Sequence, residues 1–276
     1  MMADQGVYVY CFAPAGARAN AGLVGVDDQA AVCVLDVGEV AAVYSVVSLD
    51  EFTGDDAEAR LADPAWLVPR ACAHERVTEA LMKGFPVLPV RFGAVFANTD
   101  ALMDFVAPDA EEIAGFLEYI SDKEEWSVKL FLDAERAAAW HMAQDPVLAA
   151  KSARASGSPG TRYLQEKQLH RDALRLSKQC GFALAKSVQA QLEELSLDLF
   201  PLKLQEAKAS GRNADMILHV AVLLGRDRVG AFREQIDDID ARYAGQGIAA
   251  VATGPWPPYH ACAGLGGNGA DEDEPQ

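Results

Sequence analysis

The sequence predicts an α+β protein of two domains, and three observations support this class. The chain has 276 residues, half of them hydrophobic, which is enough apolar material for two separate cores. From residue 126 onward its hydrophobic patterns follow the order strand, helix, strand, strand, helix, strand. Residues 253–260, TGPWPPYH, hold three prolines in four positions, so this stretch is predicted to be neither helix nor central strand.

The first domain, residues 1–124, is predicted to be a mixed α/β sheet domain. Asp63 followed by Pro64 is typical of a helix start, and the helix is predicted to continue to Lys83. Two short helices follow near the end of the domain. The β-branched and aromatic runs that predict strands cover residues 7–12, 31–36, 41–49 and 87–92. Pro89 places the last of these strands at an edge or a bulge.

The second domain, residues 125–263, is predicted to be ferredoxin-like, with the order βαββαβ, a long helix and a Pro-rich C-terminal arm. Its predicted elements are a strand at 126–132, helices at 133–144 and 161–195, strands at 197–204 and 216–224, a helix at 229–243 and a strand at 248–253. In this order the first and third strands lie in the middle of a four-stranded antiparallel sheet.

The third strand of this domain, residues 216–224, is apolar on both faces. One face is expected to meet the helices. The other carries Ile217, Ala221 and Leu223 and would be bare in an isolated domain, so it needs a cover. The first domain, the Pro-rich arm or a partner would each provide one, which makes Ile217 and Leu223 candidate partner-binding residues.

The Pro-rich arm, residues 253–260, is expected to be stiff and extended. It carries two large aromatic side chains, Trp256 and Tyr259. A stiff arm loses little backbone entropy when it docks, so these rings suit either of two roles: they anchor a partner, or they fold back over the protein's own sheet. The acidic, Gly-rich residues 264–276 that follow are predicted to be disordered.

The charge balance and the cysteine usage restrict the class of partner and the compartment. The formal net charge is -17, from 41 acidic and 24 basic residues, and such a surface repels nucleic acid and anionic lipid. Five cysteines without framework spacing indicate a reducing cytoplasm. The sequence has no signal-peptide pattern and no apolar run of the ~18 residues that a membrane span needs. We therefore expect a cytoplasmic protein that binds neither nucleic acid nor membrane.

No motif predicts catalysis, a cofactor or a metal ion. Cys72 and His74 are two residues apart on a predicted helix, so they point to different faces and make a poor metal site. The Gly-rich stretches lack the Gly-Lys-Ser/Thr of a phosphate loop. We therefore expect a binding protein rather than an enzyme.

Four stretches of the chain resemble motifs of one known family. Residues 87–96, VLPVRFGAVF, are similar to its PLRFGTVF segment, and residues 125–129, EWSVK, are similar to its EWGVK segment. Residues 160–164, GTRYL, resemble its GxxYL helix start, and residues 253–259, TGPWPPY, match its closing motif. These motifs follow one another in the family's order over nearly the whole chain. The family that they resemble is the gas vesicle protein F/L family.

The resemblance implies an accessory or minor shell-associated protein of gas vesicle organisation, cytoplasmic and associated with the vesicle. Its implied partners are the small hydrophobic major shell protein and, in some cases, other accessory proteins; no cofactor is implied. Arg91 has two interpretations, a partner-binding residue or a structural arginine paired with a carboxylate. The partner-binding candidates together are Arg91, Phe92, Ile217, Leu223, Trp256 and Tyr259.

Two alternatives stay open at this stage. Ferredoxin-like domains host many activities, so a small-molecule-binding sensor or enzyme is the alternative from another class. Within the family, the chain is either an assembly factor or a permanent component of the shell. The motifs do not separate the F branch from the L branch, and they do not give the oligomeric state.

Overall fold

The computed structural model describes residues 5–54, 56–154, 156–205, 214–263 and residue 265. The chain forms two compact units: the first contains the chain up to Glu124 and again from Trp256, and the second runs from Glu125 to Pro255. Each unit combines an antiparallel sheet with helices, which confirms the α+β class. The sequence assigns residues 256–263 to the second domain, whereas the structure groups them with the first unit. The predicted disordered tail lies outside the described residues, apart from residue 265.

The first unit is built on a five-stranded antiparallel sheet. Its strands are β1 (Gln5–Pro14), β2 (Cys33–Val37), β3 (Val40–Ser48), β4 (Leu88–Pro89) and β5 (Val95–Phe96). The order is β2-β3-β1-β4, and β5 also pairs with β1. The predicted strand at 87–92 pairs over Leu88 and Pro89 only, and one further backbone hydrogen bond of 2.9 Å runs from Val90 N–H to the Tyr10 oxygen.

A bulge in β1 determines which of its side chains share a face. Between Val9 and Cys11 the register against β3 shifts, so Tyr10 is an extra residue. Because side chains alternate along a strand, the extra residue brings Phe12 to the same face as Val9. Both belong to one apolar core, and Tyr10 and Cys11 belong to the core on the opposite face.

Helices cover both faces of this sheet. They are α1 (Leu49–Phe52), α2 (Ala57–Leu61), α3 (Pro64–Met82), α4 (Thr99–Val106) and α5 (Ala110–Ile120). Helix α3 supplies Val77 and Leu81 to one core, and α4 and α5 supply Leu102 and Ile113, among others, to the other. Asp63 caps α3 by accepting a hydrogen bond from the backbone of Ala65, as the sequence predicts.

The second unit contains a four-stranded sheet in the order β7-β8-β6-β9. Its strands are β6 (Lys123–Leu132), β7 (Asp198–Pro201), β8 (Asp215–Gly225) and β9 (Ile248–Trp256). Its helices are α6 (Ala134–Gln144), α7 (Pro146–Ala153), α8 (Pro159–Leu195) and α9 (Val229–Tyr243). Strands β6 and β8 therefore lie in the middle of the sheet.

The core of the second unit is almost entirely apolar. Alternate residues of β6 and β8 pack against Val188 of α8 and Phe232 of α9. Helix α8 has 37 residues and is about 55 Å long. It continues without interruption through Gly181. A Cβ at Gly181 would lie 3.1 Å from Leu132 Cδ2, so the glycine allows α8 to approach β6 closely.

Two searches restrict the kinds of site that the described residues offer. In that part of the chain, no helix is both long and apolar enough to cross a membrane. Nor do the residues that the structure describes include a group of three or more His, Cys, Asp or Glu side chains arranged to hold a metal ion.

Candidate functional site

The Pro-rich arm begins within β9, which continues through Gly254 to Trp256. Gly254 has a φ of +146°, and a Cβ at this position would lie 3.0 Å from Trp126 Cδ2 and 3.1 Å from the backbone oxygen of Glu125. Only glycine fits such a close approach with this φ. The following peptide bond is cis, and Pro257 and Pro258 are buried.

Tyr259 fixes the arm to the first unit. Its hydroxyl donates a hydrogen bond of 2.7 Å to Glu75 Oε1 on helix α3. Three residues later, Cys262 is fully buried in the core that α4 and α5 form with the sheet, and its Sγ donates to the backbone oxygen of Tyr259. Of the two roles expected for the arm, Tyr259 therefore has the internal one in this structure. Trp256 differs, because 41 % of it is exposed.

A buried polar network lies in the core beneath α3. The Tyr8 hydroxyl accepts a hydrogen bond of 3.1 Å from the backbone N–H of Gly93, and it lies 2.9 Å from His74 Nδ1. The Tyr8 hydroxyl thus links the backbone of Gly93 to the His74 ring, and the tautomer of His74 determines which partner donates in the second hydrogen bond. Tyr8 and His74 are both almost completely buried.

Burial shifts the pKa of each titratable group in this region toward its neutral form. It lowers the pKa of His74 to about 4, against a smaller opposing contribution from the backbone of Val90. Burial also raises the pKa of Glu75, while the hydrogen bond from Tyr259 acts in the opposite direction. The pKa of Tyr10 rises to about 12. His74 is therefore neutral at pH 7, and the network holds side chains in place without adding charge.

Three aromatic rings above this network form a surface that we call the aromatic surface. It consists of Phe52, Trp66 and Phe92, all half-buried. The ring centroids of Phe52 and Trp66 are 5.5 Å apart, and those of Trp66 and Phe92 are 6.5 Å apart. Phe92 also packs edge-on against Tyr8 at 5.9 Å and His74 at 6.0 Å. The buried hydrogen bonds thus support the rings from below.

Sequence reasoning named only Phe92 among these three rings. Trp66 lies seven residues before Ala73 and eleven before Val77, so it shares the buried face of α3, and this spacing is the signal that could have identified it. The structure also shows Arg70 stacked over Trp66 at 4.4 Å and paired with Glu51 at 3.0 Å. These contacts hold the Trp66 ring at the edge of the surface.

The remaining candidates have different surroundings. Arg91 is exposed beside Phe92 at the end of β4. Ile217 and Leu223 are 5 % and 1 % exposed. The face of β8 that needed a cover is therefore buried in the folded chain, and neither side chain exposes a large area to a partner. Ile217 does line an open groove of about 310 Å³ in the second unit. The other groove residues are Leu132, Lys178, Phe182, Leu204, Gln205, Asp215 and Met216.

The α+β fold is shared with solved structures of gas vesicle proteins. A solved structure described as the gas vesicle protein GvpF from Anabaena sp. PCC7120 superposes with a TM-score of 0.64, covering 93% of this chain and 97% of that chain at 20% identity. GvpF from Microcystis aeruginosa superposes with a TM-score of 0.59, covering 92% of this chain and 98% of that chain at 21% identity. At such identities the likeness shows a common fold.

The sequence profile described as gas vesicle synthesis protein GvpL/GvpF matches residues 6–262, and the chain belongs to this family. Gas vesicle protein L2 of Halobacterium salinarum is 30% identical over 266 residues, which are 93% of this chain and 91% of that protein. Gas vesicle protein L of a Streptomyces species is 28% identical over 222 residues, 80% of this chain and 79% of that protein. The resemblance seen in the sequence motifs is confirmed, and it assigns the chain a role related to gas vesicles.

Proposed function

We propose that this chain binds the small hydrophobic major shell protein of gas vesicles and assists the assembly of the shell. The observation that carries the proposal is the aromatic surface of the first unit. It includes Phe92, which lies in the VLPVRFGAVF stretch that resembles the family motif. Half-buried aromatic side chains, which pack against their own protein on one side and are exposed on the other, are typical anchors of protein interfaces.

The support beneath the aromatic surface favours binding in a fixed geometry. Phe92 packs on Tyr8 and His74, whose hydrogen bond and burial restrict their movement. Rings that are already ordered lose little side-chain entropy when a partner covers them. An apolar segment of a small shell protein would therefore gain contact area at a low entropic cost.

Trp256 is a second proposed anchor, and Arg91 a polar neighbour of the first. Trp256 is exposed, while Tyr259, three residues later, is tied to Glu75. The two arm residues thus have separate proposed roles: Tyr259 holds the arm in place, and Trp256 offers its ring to the partner. Arg91 is exposed beside Phe92 and can meet the polar rim of the same partner.

We further infer that the second unit is a ferredoxin-like domain. The strand order β7-β8-β6-β9, with two connecting helical segments, supports the βαββαβ arrangement that the sequence predicts. The proposed function requires no cofactor and no catalytic group. It applies to a protein of the cytoplasm that associates with the gas vesicle, with neither nucleic acid nor membrane lipid as its partner.

The test is co-purification of the major shell protein with tagged full-length chain after co-expression. We expect Trp66→Ala combined with Phe92→Ala to reduce the retained shell protein at least tenfold, since each buried aromatic anchor contributes about 2 kcal/mol or more. Val68→Ala is the matched control, because Val68 is exposed on α3 but lies two residues from Trp66 and faces another direction. Unchanged retention by the folded double variant would contradict the proposal.

A further inference from the structure

Helix α8 carries a line of exposed side chains that we call the basic stripe. Its members recur every three or four residues, so they share one face of the helix over about 33 Å. All of them are exposed, and the two apolar members, Leu164 and Phe182, are 65% and 50% exposed. The basic stripe consists of Leu164, Lys167, Arg171, Arg175, Lys178, Phe182 and Lys186.

Nearby carboxylates neutralise this stripe only in part. Arg175 lies 3.6 Å from Asp172, and Lys178 lies 3.9 Å from Asp215, both at the long end for an ion pair. Exposed pairs of this kind contribute little, since water screens them. Between residues 159 and 192 the helix has only two acidic side chains, Glu166 and Asp172. The stripe is therefore a positively charged surface on a protein whose net charge is -17.

The two units differ sharply in charge. The residues of the first unit, 1–124 and 256–276, include 25 acidic and 7 basic side chains. The residues of the second unit, 125–255, include 16 acidic and 17 basic side chains. The first unit thus has the whole excess of negative charge, and the second is close to neutral.

The first unit presents a surface of opposite character on α4 and α5, which we call the acidic face. Residues 99–122 contain seven acidic side chains and no lysine or arginine, and the next residue, Lys123, pairs with Asp122 at 2.8 Å and lies over the Tyr119 ring at 4.3 Å. Phe105 and Tyr119 in the same segment are 42% and 45% exposed. The acidic members are Asp100, Asp104, Asp109, Glu111, Glu112, Glu118 and Asp122, all exposed.

We propose that the basic stripe of one molecule docks on the acidic face of a second copy of this chain. Both surfaces combine one sign of charge with two exposed apolar side chains, so they are complementary in charge and in apolar content. Because the stripe and the face are different patches, the contact is heterologous. A heterologous contact leaves one stripe and one face free at the ends, and it builds head-to-tail chains or closed rings.

The apolar members of the stripe favour a second copy over a polyanion such as nucleic acid. The net charge of -17 repels both kinds of partner, and physiological salt screens that repulsion within about 8 Å in both cases. The difference lies at contact distance, where Leu164 and Phe182 find no apolar surface on a phosphate backbone. Between two copies, the apolar side chains of the two patches can meet.

Sedimentation of the purified full-length chain without any shell protein tests the proposal. We expect the weight-average mass to rise with concentration from 29.6 kDa toward twice that value or more at low ionic strength. At 1 M salt, where charges are screened within about 3 Å, the mass is expected to return to that of the monomer. A mass of 29.6 kDa at all concentrations and low salt would overturn the proposal.

Charge reversal identifies the surfaces. The stripe variant, Lys167→Glu with Arg171→Glu and Arg175→Glu, is expected to remain monomeric under all conditions. The matched control reverses three exposed basic residues away from the stripe, Arg136, Arg228 and Arg242, and so changes the net charge equally. We expect the control to retain most of the self-association, and equal loss in both variants would overturn the assignment of the surface.

A complementary variant makes the test independent of folding defects. Reversing Asp104, Glu111 and Glu118 to lysine on the acidic face is also expected to give a monomer. Mixed in equal amounts, the stripe variant and this face variant are expected to associate again, because the intact stripe of the face variant can dock on the intact face of the stripe variant, and the two reversed patches are also opposite in charge. Failure of the mixture to associate, or binding of a DNA duplex by the wild-type stripe in place of self-association, would overturn the proposal.

Discussion

The two units of this chain bury different kinds of groups, although both are sheets covered by helices. The first unit encloses Tyr8, Tyr10, His74 and, partly, Glu75 in hydrogen-bonded contacts. The core of the second unit consists of aliphatic side chains around Phe232 and Trp126, and the buried polar side chains of this unit are Glu125 and Ser177. We therefore expect a fall in pH to reduce the stability of the first unit by protonating buried groups that are neutral at pH 7. The stability of the second unit should depend mainly on the packing of its apolar side chains.

The largest effect is expected from Phe232→Ala in the second unit. Phe232 is fully buried and meets the Trp126 ring at 5.7 Å. Its truncation leaves a cavity and should reduce the free energy of unfolding by about 4 kcal/mol. Denaturant titrations at pH 7 and pH 5 measure the loss, which should be the same at both pH values. A loss that changes strongly with pH would mean that the core of the second unit also responds to acidity.

The second prediction concerns the titration of His74 in the first unit. Its folded pKa of about 4 lies below the ordinary 6.5, so the unfolded chain binds this proton more readily. Stability should therefore be complete above pH 6.5 and fall by about 3 kcal/mol as the pH decreases to 4. Denaturant titrations across this range measure it. In His74→Gln, whose amide can still form a hydrogen bond with Tyr8 and does not titrate, this part of the pH dependence should disappear; if it persists, another group is responsible.

The third prediction concerns the attachment of the arm. Tyr259→Phe removes the donor to Glu75 and leaves a partly buried carboxyl without it, which should cost about 1–2 kcal/mol. Hydrogen exchange at residues 259–263 should become faster. Tyr163→Phe is the control, since Tyr163 is 60% exposed on α8. Equal exchange rates in the wild type and Tyr259→Phe would mean that the Cys262 contacts alone hold the arm.

The smallest effect is expected from Glu75→Gln, and it has the opposite sign at high pH. Because burial raises the pKa of Glu75, the folded protein holds this proton more tightly than the unfolded chain, and stability is lost as the pH rises. Glutamine keeps an oxygen that accepts from Tyr259 and cannot ionise. We expect the variant to match the wild type near pH 4 and to exceed its stability at pH 8. A variant that is equally weakened at both pH values would contradict this account.

Patterns within a few residues of one another predicted much of this fold. The apolar residues of β8, the alternation of β6 and the capping of α3 by Asp63 are local signals, and the structure contains all three elements. The recurrence of lysine and arginine every three or four positions along α8 is also a local signal, but the negative net charge of the whole chain gives no indication of it. A total averages over two units of unlike composition, so it says little about any one face.

Contacts between distant residues were not predictable in the same way. Tyr259 and Glu75 are 184 positions apart, and no local pattern shows that a tyrosine after two prolines will meet this carboxyl. The extra residue at Tyr10 changes the faces of β1, and it depends on the pairing with β3. The aromatic surface likewise brings together residues from α1, α3 and the segment after β4. Tertiary packing decides such features.

The return of the chain to the first unit after β9 has a consequence for synthesis on the ribosome. Cys262 completes a core whose other members lie before residue 125, so the second unit is an insertion within the first. At about 5–20 residues per second, the ribosome needs on the order of ten seconds to make the inserted residues. During that time the core of the first unit lacks Cys262, while the second unit can already fold. The first unit can therefore complete its core only after the second unit has been synthesised in full.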